Sequence, residues 1–279
     1  ANVQSMHLNL PFAGDREFER LHAAIRVALP LLPALAASSP YVDGRRAGWL
    51  DERLRHYRDH AARVPSLTGA VVPEPVWSRA AYEREILRPL WRDLRGLDPE
   101  GHLGHEFANA RGAIARFDRN AIEIRVLDSQ ECPAMDLAIA AAVCGLVRAL
   151  VEERWSSLEH QKAVPSRPLV ALLWRVAADA DQAWIEEPQV LACLGLAGRG
   201  RMRVGELWRE KLAELDWGGS AGSPHWRAPL ELITTAGPLA RRLVARLGPQ
   251  PTRAELVRVY AELCDCLQHG RPFEVDGNP

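Results

Sequence analysis

The chain contains very little lysine: Lys162 and Lys211 are the only two among 35 basic residues, and arginine supplies the rest. Any phosphate or carboxylate bound by this protein is therefore held by arginine forks or by a metal ion. The formal net charge is −1, and no run reaches the roughly 18 apolar residues of a membrane span. We therefore expect partners that are neither nucleic acids nor membranes.

Cysteine is also scarce, and its five residues show no spacing typical of zinc sites or redox motifs. Cys264 and Cys266 lie two positions apart on a predicted helix, so they point to different faces. We therefore expect reduced thiols and a cytoplasmic location. The glycine-rich loops that bind nucleotide phosphates are absent, as are the motifs of serine hydrolases and zinc peptidases.

Two segments, "SMHLNL" and "AIEIRVLD", alternate polar and apolar residues as β-strands do. The polar face of the first carries His7 and Asn9. Strict alternation in the second places Glu123, Arg125 and Leu127 on one face, opposite a face of isoleucine and valine. If the two strands belong to one sheet, their polar side chains converge on one surface.

This convergence permits two interpretations. Imidazole nitrogen and carboxylate oxygen are competent ligands for Mg²⁺ or Mn²⁺, which would make His7 and Glu123 metal ligands. Arg125 beside them would then hold a phosphate or a carboxylate. A solvated sheet face with chance polar residues explains the same alternation, and the pattern alone leaves both interpretations open.

More arginines lie near these strands. A loop bounded by proline and glycine contains a pair of them, a third precedes Gly112, where a backbone can approach a ligand closely, and a fourth lies in a predicted hairpin. We expect these arginines to receive a phosphate or a substrate carboxylate: Arg45, Arg46, Arg111 and Arg116.

The order of the segments predicts an α+β fold with a few antiparallel strands and with helices packed on one face. A long helix that is apolar almost all round should begin at Pro133, and residues 162–279 read as wholly helical. We expect one domain over residues 1–279. Residues 1–155 would form its sheet and active-site half, and residues 156–279 its helical half.

The strings "MHLNL" and "IEIRVLD", with "AASSPYVDGRRAGW" between them, resemble the glutamate–cysteine ligase family in its bacterial carboxylate–amine ligase branch. The resemblance is good from Gln4 to Glu153. It implies a curved antiparallel sheet of the glutamine-synthetase type, with Mg²⁺ (or Mn²⁺) and ATP on its concave face. It also implies His7 and Glu123 as metal ligands and Arg125 as the catalytic contact to substrate or phosphate. The four outer arginines and Asn9 would then bind substrate or ATP.

The implied reaction joins small molecules: ATP phosphorylates a glutamate-like carboxylate, and an amine, cysteine by default, attacks the acyl phosphate. Two family features are not found, the Gly-x-Glu-x-Glu strand and the Asn-x-Trp-x-Ala segment. We expect the acidic strand to lie upstream of Ala1. A non-catalytic descendant and a ligase for another amine stay open as alternatives, and so does a homo-oligomer.

Overall fold

The computed structural model describes residues 4–104, 106–215 and 224–275, and it has an α+β fold. Its strands are β1 (Ser5–Pro11), β2 (Tyr41–Val42), β3 (Arg45–Arg46), β4 (Ala113–Arg116), β5 (Ala121–Asp128), β6 (Trp184–Ile185) and β7 (Met202–Arg203). Its α-helices are α1 (Gly14–Ala28), α2 (Pro33–Ala36), α3 (Glu52–Asp59), α4 (Arg79–Tyr82), α5 (Arg88–Leu94), α6 (Pro133–Val151), α7 (Leu158–Lys162), α8 (Ser166–Asp179), α9 (Pro188–Cys193), α10 (Val204–Glu214), α11 (Pro224–Ala236), α12 (Leu239–Leu247) and α13 (Arg253–His269).

The main sheet is antiparallel and has the strand order β1-β5-β4. The predicted hairpin between β4 and β5 is present, and Asn120 in its turn has a φ of 49°, a left-handed conformation that asparagine tolerates. The sheet therefore joins a strand from the beginning of the chain to a hairpin more than a hundred residues later.

A β-bulge interrupts the pairing of β1 with β5. Met6 faces Leu127 and Leu8 faces Ile124, so β1 advances two residues while β5 advances three. Directly opposed side chains share a face, which places Leu127 on the apolar face with Ile124. The expectation that Leu127 lies beside Glu123 is therefore wrong, because the extra residue shifts the alternation.

The apolar face of β5 forms part of the main hydrophobic core. Ile122 and Ile124 are fully buried, together with apolar residues of α1 and α6. Helix α6 begins at Pro133 as predicted and packs against α1 and α11. It is long and apolar enough to cross a membrane by length and composition, but half of its most apolar window is buried inside the protein, as in a core helix.

Helix α3 approaches the other, polar face of the sheet. Asp51 accepts a hydrogen bond from the Leu54 amide at 2.8 Å and so caps the helix. Arg53, in its first turn, forms an ion pair with Asp128 of β5, and Asp128 lies opposite Ser5 on the polar face. The expectation of helices on one face only is therefore too simple.

Residues 162–215 and 224–275 are mostly helical, with one exception to the prediction, and residues 216–223 and 276–279 of the predicted helical part lie outside the described residues. Strands β6 and β7 form a short antiparallel ladder in which Trp184 faces Arg203. Helix α13 begins as its sequence predicts: Thr252 caps it and Glu255 completes a capping box. The main core contains residues of both halves, so both contribute to one buried cluster.

Candidate active site

Glu123 lies at the centre of a polar cluster on the sheet. It is directly opposite Asn9 of β1, and its Oε1 is 3.0 Å from Nδ1 of His7. Only 9% of the Glu123 side chain is exposed, against 41% for His7. The carboxylate therefore lies at the bottom of the cluster, and the imidazole lies at its solvent-exposed edge. Ser5 steadies the imidazole through a contact of 2.8 Å with its Nε2.

Two arginines hold the Glu123 carboxylate from the sheet side. Arg125 donates from Nε to Oε1 at 2.6 Å, and Arg116 of β4 lies 3.4 Å from Oε2. Arg125 also donates to the backbone carbonyl of Asn109 at 3.2 Å, while Arg116 pairs with Asp118 in the hairpin turn. Both guanidinium groups are therefore fixed close to one carboxylate.

The charges of this cluster shift two pKa values. Partial burial acts to raise the pKa of Glu123, but the hydrogen bond and charge of Arg125, with His7 and Arg116, hold it below its ordinary value. Partial burial lowers the pKa of His7, and the neighbouring Glu123 opposes that shift. Glu123 is thus an anion at neutral pH with lone pairs available to a cation.

The sequence interpretation missed three polar residues that approach this surface: Arg53, Tyr57 and Asp128. Asp128 accepts hydrogen bonds from the Ser38 amide and the Ser39 hydroxyl, each at 2.8 Å, in addition to its ion pair with Arg53. The only signal in the sequence was the carboxylate of Asp128 at the end of "IRVLD". Strict alternation would place this side chain on the apolar face, with the isoleucines and the valine.

A second carboxyl group lies beside Asp128. Burial and the charge of Asp128 raise the pKa of Asp51 well above its ordinary value, although Arg53 opposes this. The raised pKa favours the protonated form of Asp51, and Asp128 is the carboxylate that forms the ion pair with Arg53. This arrangement fixes the start of α3 against the end of β5.

Arg111 is committed to contacts within the chain. Its Nε and Nη2 donate to the two carboxylate oxygens of Glu74 at 2.6 and 2.7 Å, and its Nη1 donates to the Ser66 carbonyl at 3.1 Å. Gly112 likewise contacts the chain, because a Cβ there would lie 2.7 Å from Val126 and 2.9 Å from Val71. The close backbone approach at Gly112 is thus explained by packing, and a ligand role for Arg111 stays a prediction.

Arg45 and Arg46 form β3 and lie elsewhere, on the wall of an open cleft of 470 Å³ that also includes Trp49 and Glu52. Glu52 and His56 line this cleft from one side of α3, whereas Arg53 approaches the sheet from another side of the same helix. Five of the predicted residues therefore lie together on the sheet: His7, Asn9, Glu123, Arg125 and Arg116. Arg45 and Arg46 line a separate cleft, and Arg111 contacts Glu74 and Ser66.

His7 and Glu123 fit a hard divalent cation only in part. Their adjacent nitrogen and oxygen can share one ion, but Mg²⁺ prefers about six oxygen ligands. Within residues 4–104, 106–215 and 224–275, no three His, Cys, Asp or Glu residues are placed to hold a metal together. These two residues could therefore supply at most two ligands of a larger set.

The chain is an α+β protein in which a histidine, a glutamate and two arginines converge on one face of an antiparallel sheet, an arrangement that could accept a cation and an anion. Comparison with known proteins gives the family. Residues 3–187 match Glutamate-cysteine ligase family 2 (GCS2), and the chain belongs to that family. The resemblance inferred from the sequence is thereby confirmed.

Two relatives show how far the similarity extends. The chain is 40% identical over 152 residues to an uncharacterized protein of Archaeoglobus fulgidus, covering 54% of this chain and 41% of that protein. It is 36% identical over 154 residues to the "Putative glutamate--cysteine ligase 2-1" of Nocardioides sp., covering 54% of this chain and 35% of that protein. The matched part therefore spans about two fifths or less of each relative.

Proposed function

We propose that this chain carries part of the active site of an ATP- and Mg²⁺-dependent ligase that joins a glutamate-like carboxylate to an amine, with cysteine as the default acceptor. The observation that carries the proposal is the contact of His7, Glu123 and Arg125 on one face of the sheet. Family membership supports a ligase. The proposal includes a sheet of the glutamine-synthetase type, of which β1, β5 and β4 would be part.

Each residue of the cluster has a role suited to its position. His7 and Glu123 would hold Mg²⁺ or Mn²⁺, which when bound would neutralise charge on the phosphoryl group being transferred. Arg125 and Arg116 present guanidinium groups beside Glu123, where they can bind oxygens of a phosphate or carboxylate. Asn9, opposite Glu123, offers an amide at the exposed rim.

The remaining metal ligands would come from a further strand. Strand β1 pairs with β5 along one edge, and its other edge has no partner strand in the described sheet. Its unpaired backbone groups can accept another strand. We propose that a strand carrying at least two carboxylates pairs there, since one glutamate and one histidine would supply too few oxygen ligands and too little negative charge for Mg²⁺.

A second candidate function is a non-catalytic family member that keeps the fold and binds nucleotide. The observation that favours it is the incomplete ligand set around Glu123 in the described part of the chain. The two candidates differ in one respect. The ligase requires the additional acidic strand for activity, whereas the non-catalytic protein gains no activity from it.

Mn²⁺ binding and ADP release test the proposal. We expect weak Mn²⁺ binding by this chain in electron paramagnetic resonance titrations, and we expect Glu123→Gln to weaken it at least tenfold. Glu100→Gln is the matched control, because Glu100 contacts His102 at 2.6 Å but is 77% exposed. Unchanged Mn²⁺ affinity in Glu123→Gln would remove this residue from the metal site.

ADP release that depends on glutamate and cysteine separates the two candidate functions. The chain should be assayed alone and in a longer protein that adds an acidic strand upstream of Ala1. The ligase proposal expects activity only in the longer protein. Full activity from the 279-residue chain would show that the metal site is misplaced, and no activity from the longer protein would favour the non-catalytic function.

A further inference from the structure

Two buried hydrogen-bond donors of α3 have no acceptor in the described part of the protein. They are Nη1 of Arg53 and the hydroxyl of Tyr57, which are four positions apart and therefore one turn apart on the helix. The Arg53 side chain is only 3% exposed. A buried donor left unsatisfied costs about 1–3 kcal/mol, so two of them on one helix face require an explanation.

Both donors lie beside the proposed active site. Arg53 is anchored by Asp128 and lies 3.5 Å from the backbone carbonyl of Arg125. Burial raises the pKa of Tyr57, while the charge of Arg125, a hydrogen bond from Arg125 to the phenol oxygen and the charge of Arg53 act to lower it. Tyr57 is therefore a neutral phenol that can donate a hydrogen bond, and it lies between α3 and the Glu123 cluster.

We infer that Arg53 and Tyr57, together with Arg125, bind one carboxylate group of the substrate between α3 and the sheet. This inference deepens the proposed ligase function and rests on it. Two guanidinium groups and a phenol offer donors from different directions, as a planar carboxylate with two oxygens requires. A carboxylate suits the place better than a phosphate dianion, because the carboxylates of Glu123 and Asp128 are both nearby and repel the higher charge more strongly.

The unsatisfied donors also distinguish this inference from a purely structural role. If Tyr57 served only to hold α3, its hydroxyl would donate to an acceptor in the folded protein, and its removal would lower stability. Because the hydroxyl hydrogen has no acceptor, we expect Tyr57→Phe to unfold at nearly the same urea concentration as the wild type. A loss of ligand affinity without a loss of stability is typical of a binding residue.

The test follows Tyr57 directly by ¹⁹F NMR on protein labelled with 3-fluorotyrosine, in which Tyr57→Phe identifies its resonance. Glutamate, added without ATP or metal, should shift this resonance saturably. Tyr57→Phe should weaken glutamate binding about tenfold in calorimetry, and Arg53→Lys should weaken it at least as much. Tyr260→Phe, at a residue 38% exposed on α13, should leave the affinity unchanged.

Three results would overturn the inference. They are an unperturbed Tyr57 resonance, equal glutamate affinity in Tyr57→Phe and wild type, and a stronger response to inorganic phosphate than to glutamate. Mn²⁺ affinity distinguishes a failure of this inference from a failure of the proposed ligase function. Tyr57→Phe should leave the Mn²⁺ affinity unchanged, whereas Glu123→Gln should lower it. If Tyr57→Phe loses glutamate binding and keeps Mn²⁺ binding, the carboxylate site at Tyr57 is supported. If it keeps glutamate binding and loses Mn²⁺ binding, the metal ligands are assigned incorrectly.

Discussion

Nδ1 of His7 and Oε1 of Glu123 are 3.0 Å apart, although the two residues lie on different strands and more than a hundred positions apart in the chain. The contact exists because β1 pairs antiparallel with β5 and Asn9 faces Glu123, which brings the preceding His7 into reach. A histidine and a glutamate joined in this way can bind one cation together. The next residues along the same face, Arg125 and Arg116, can then bind its anionic partner.

Arg116 should contribute to nucleotide binding because its guanidinium lies 3.4 Å from Glu123 and is largely buried. We expect Arg116→Ala to weaken the binding of Mn²⁺–ATP about tenfold, which corresponds to the loss of roughly 1.4 kcal/mol. Isothermal titration calorimetry measures this change. Arg119→Ala is the control, since Arg119 lies in the same hairpin turn but is 67% exposed and 3.6 Å from Asp118. Equal affinities in all three proteins would remove Arg116 from the site.

The ion pair of Arg53 and Asp128 should be important for stability. Both side chains are almost fully buried, so Asp128→Ala leaves a guanidinium charge without its partner in the interior. We expect a loss of about 3–5 kcal/mol in the free energy of unfolding, measured by urea denaturation. The exposed pair of Arg84 and Glu85 is the matched control, and Glu85→Ala should cost less than about 1 kcal/mol. Similar losses in the two variants would contradict the structural role of Asp128.

His22 should make the protein sensitive to acid. It is buried in α1 against the ring of Phe18, and burial lowers its pKa from the ordinary 6.5 to about 3. Between these values the unfolded chain binds a proton that the folded chain does not, so stability is complete above pH 6.5 and falls as the pH decreases. The loss is about 1.4 kcal/mol per pH unit, or roughly 2 kcal/mol between pH 6.5 and pH 5.

Urea unfolding at pH 7, 6 and 5 measures this dependence. The difference in unfolding free energy between pH 7 and pH 5 should be about 2 kcal/mol smaller in His22→Phe than in the wild type. His102→Gln, at an exposed histidine, should keep the wild-type dependence. Identical pH dependence in His22→Phe and the wild type would show that His22 binds a proton as readily in the folded protein as in the unfolded chain.

The sequence was sufficient to predict the parts of the site that depend on local alternation. Glu123 and Arg125 share a face of β5, and His7 and Asn9 share a face of β1, because side chains in a strand alternate with period two, and the hairpin followed from its turn residues. The start of α6 followed from Pro133, which fits the first turn of a helix. These features need no knowledge of distant contacts.

The remaining parts depend on contacts between distant segments. The bulge in β5 exists only in its pairing with β1, and it moves Asp128 to the polar face. The approach of α3, which brings Arg53 and Tyr57 to the same face, depends on tertiary packing. The donors of Arg111 are occupied by Glu74 and Ser66, far away in the sequence, so an arginine cluster could not distinguish a binding residue from a structural one.

Thiol reactivity should be confined to one position. All five cysteines are unpaired, and only Cys264 is exposed. Burial raises the pKa of each of the others, which lowers their thiolate fraction: Cys132, Cys144, Cys193 and Cys266. A chromogenic disulfide reagent should therefore modify one thiol per chain rapidly, and Cys264→Ala should remove that phase. Rapid modification that persists in Cys264→Ala would contradict the burial of the other thiols.

Gly112 should tolerate no side chain. It lies in close contact with Val71 and Val126, and its backbone is hydrogen-bonded to Arg125. Its carbonyl accepts from the Arg125 amide at 2.8 Å, and its own amide donates to the carbonyl of Val71 at 2.8 Å. Val71 has a φ of 70°, an unfavourable conformation for a β-branched residue that this hydrogen bond helps to maintain.

A Cβ at Gly112 would approach Val126 and Val71 to less than 3 Å, so Gly112→Ala must displace one of these segments. We expect a loss of about 2–3 kcal/mol in urea unfolding, together with weaker Mn²⁺ and glutamate binding because Arg125 moves with its backbone. Gly96→Ala is the control, since a Cβ there meets nothing within 4 Å, and its stability should change by less than about 0.5 kcal/mol. A Gly112→Ala variant as stable as the wild type, with unchanged affinities, would show that the backbone around Arg125 is less tightly packed than these contacts indicate.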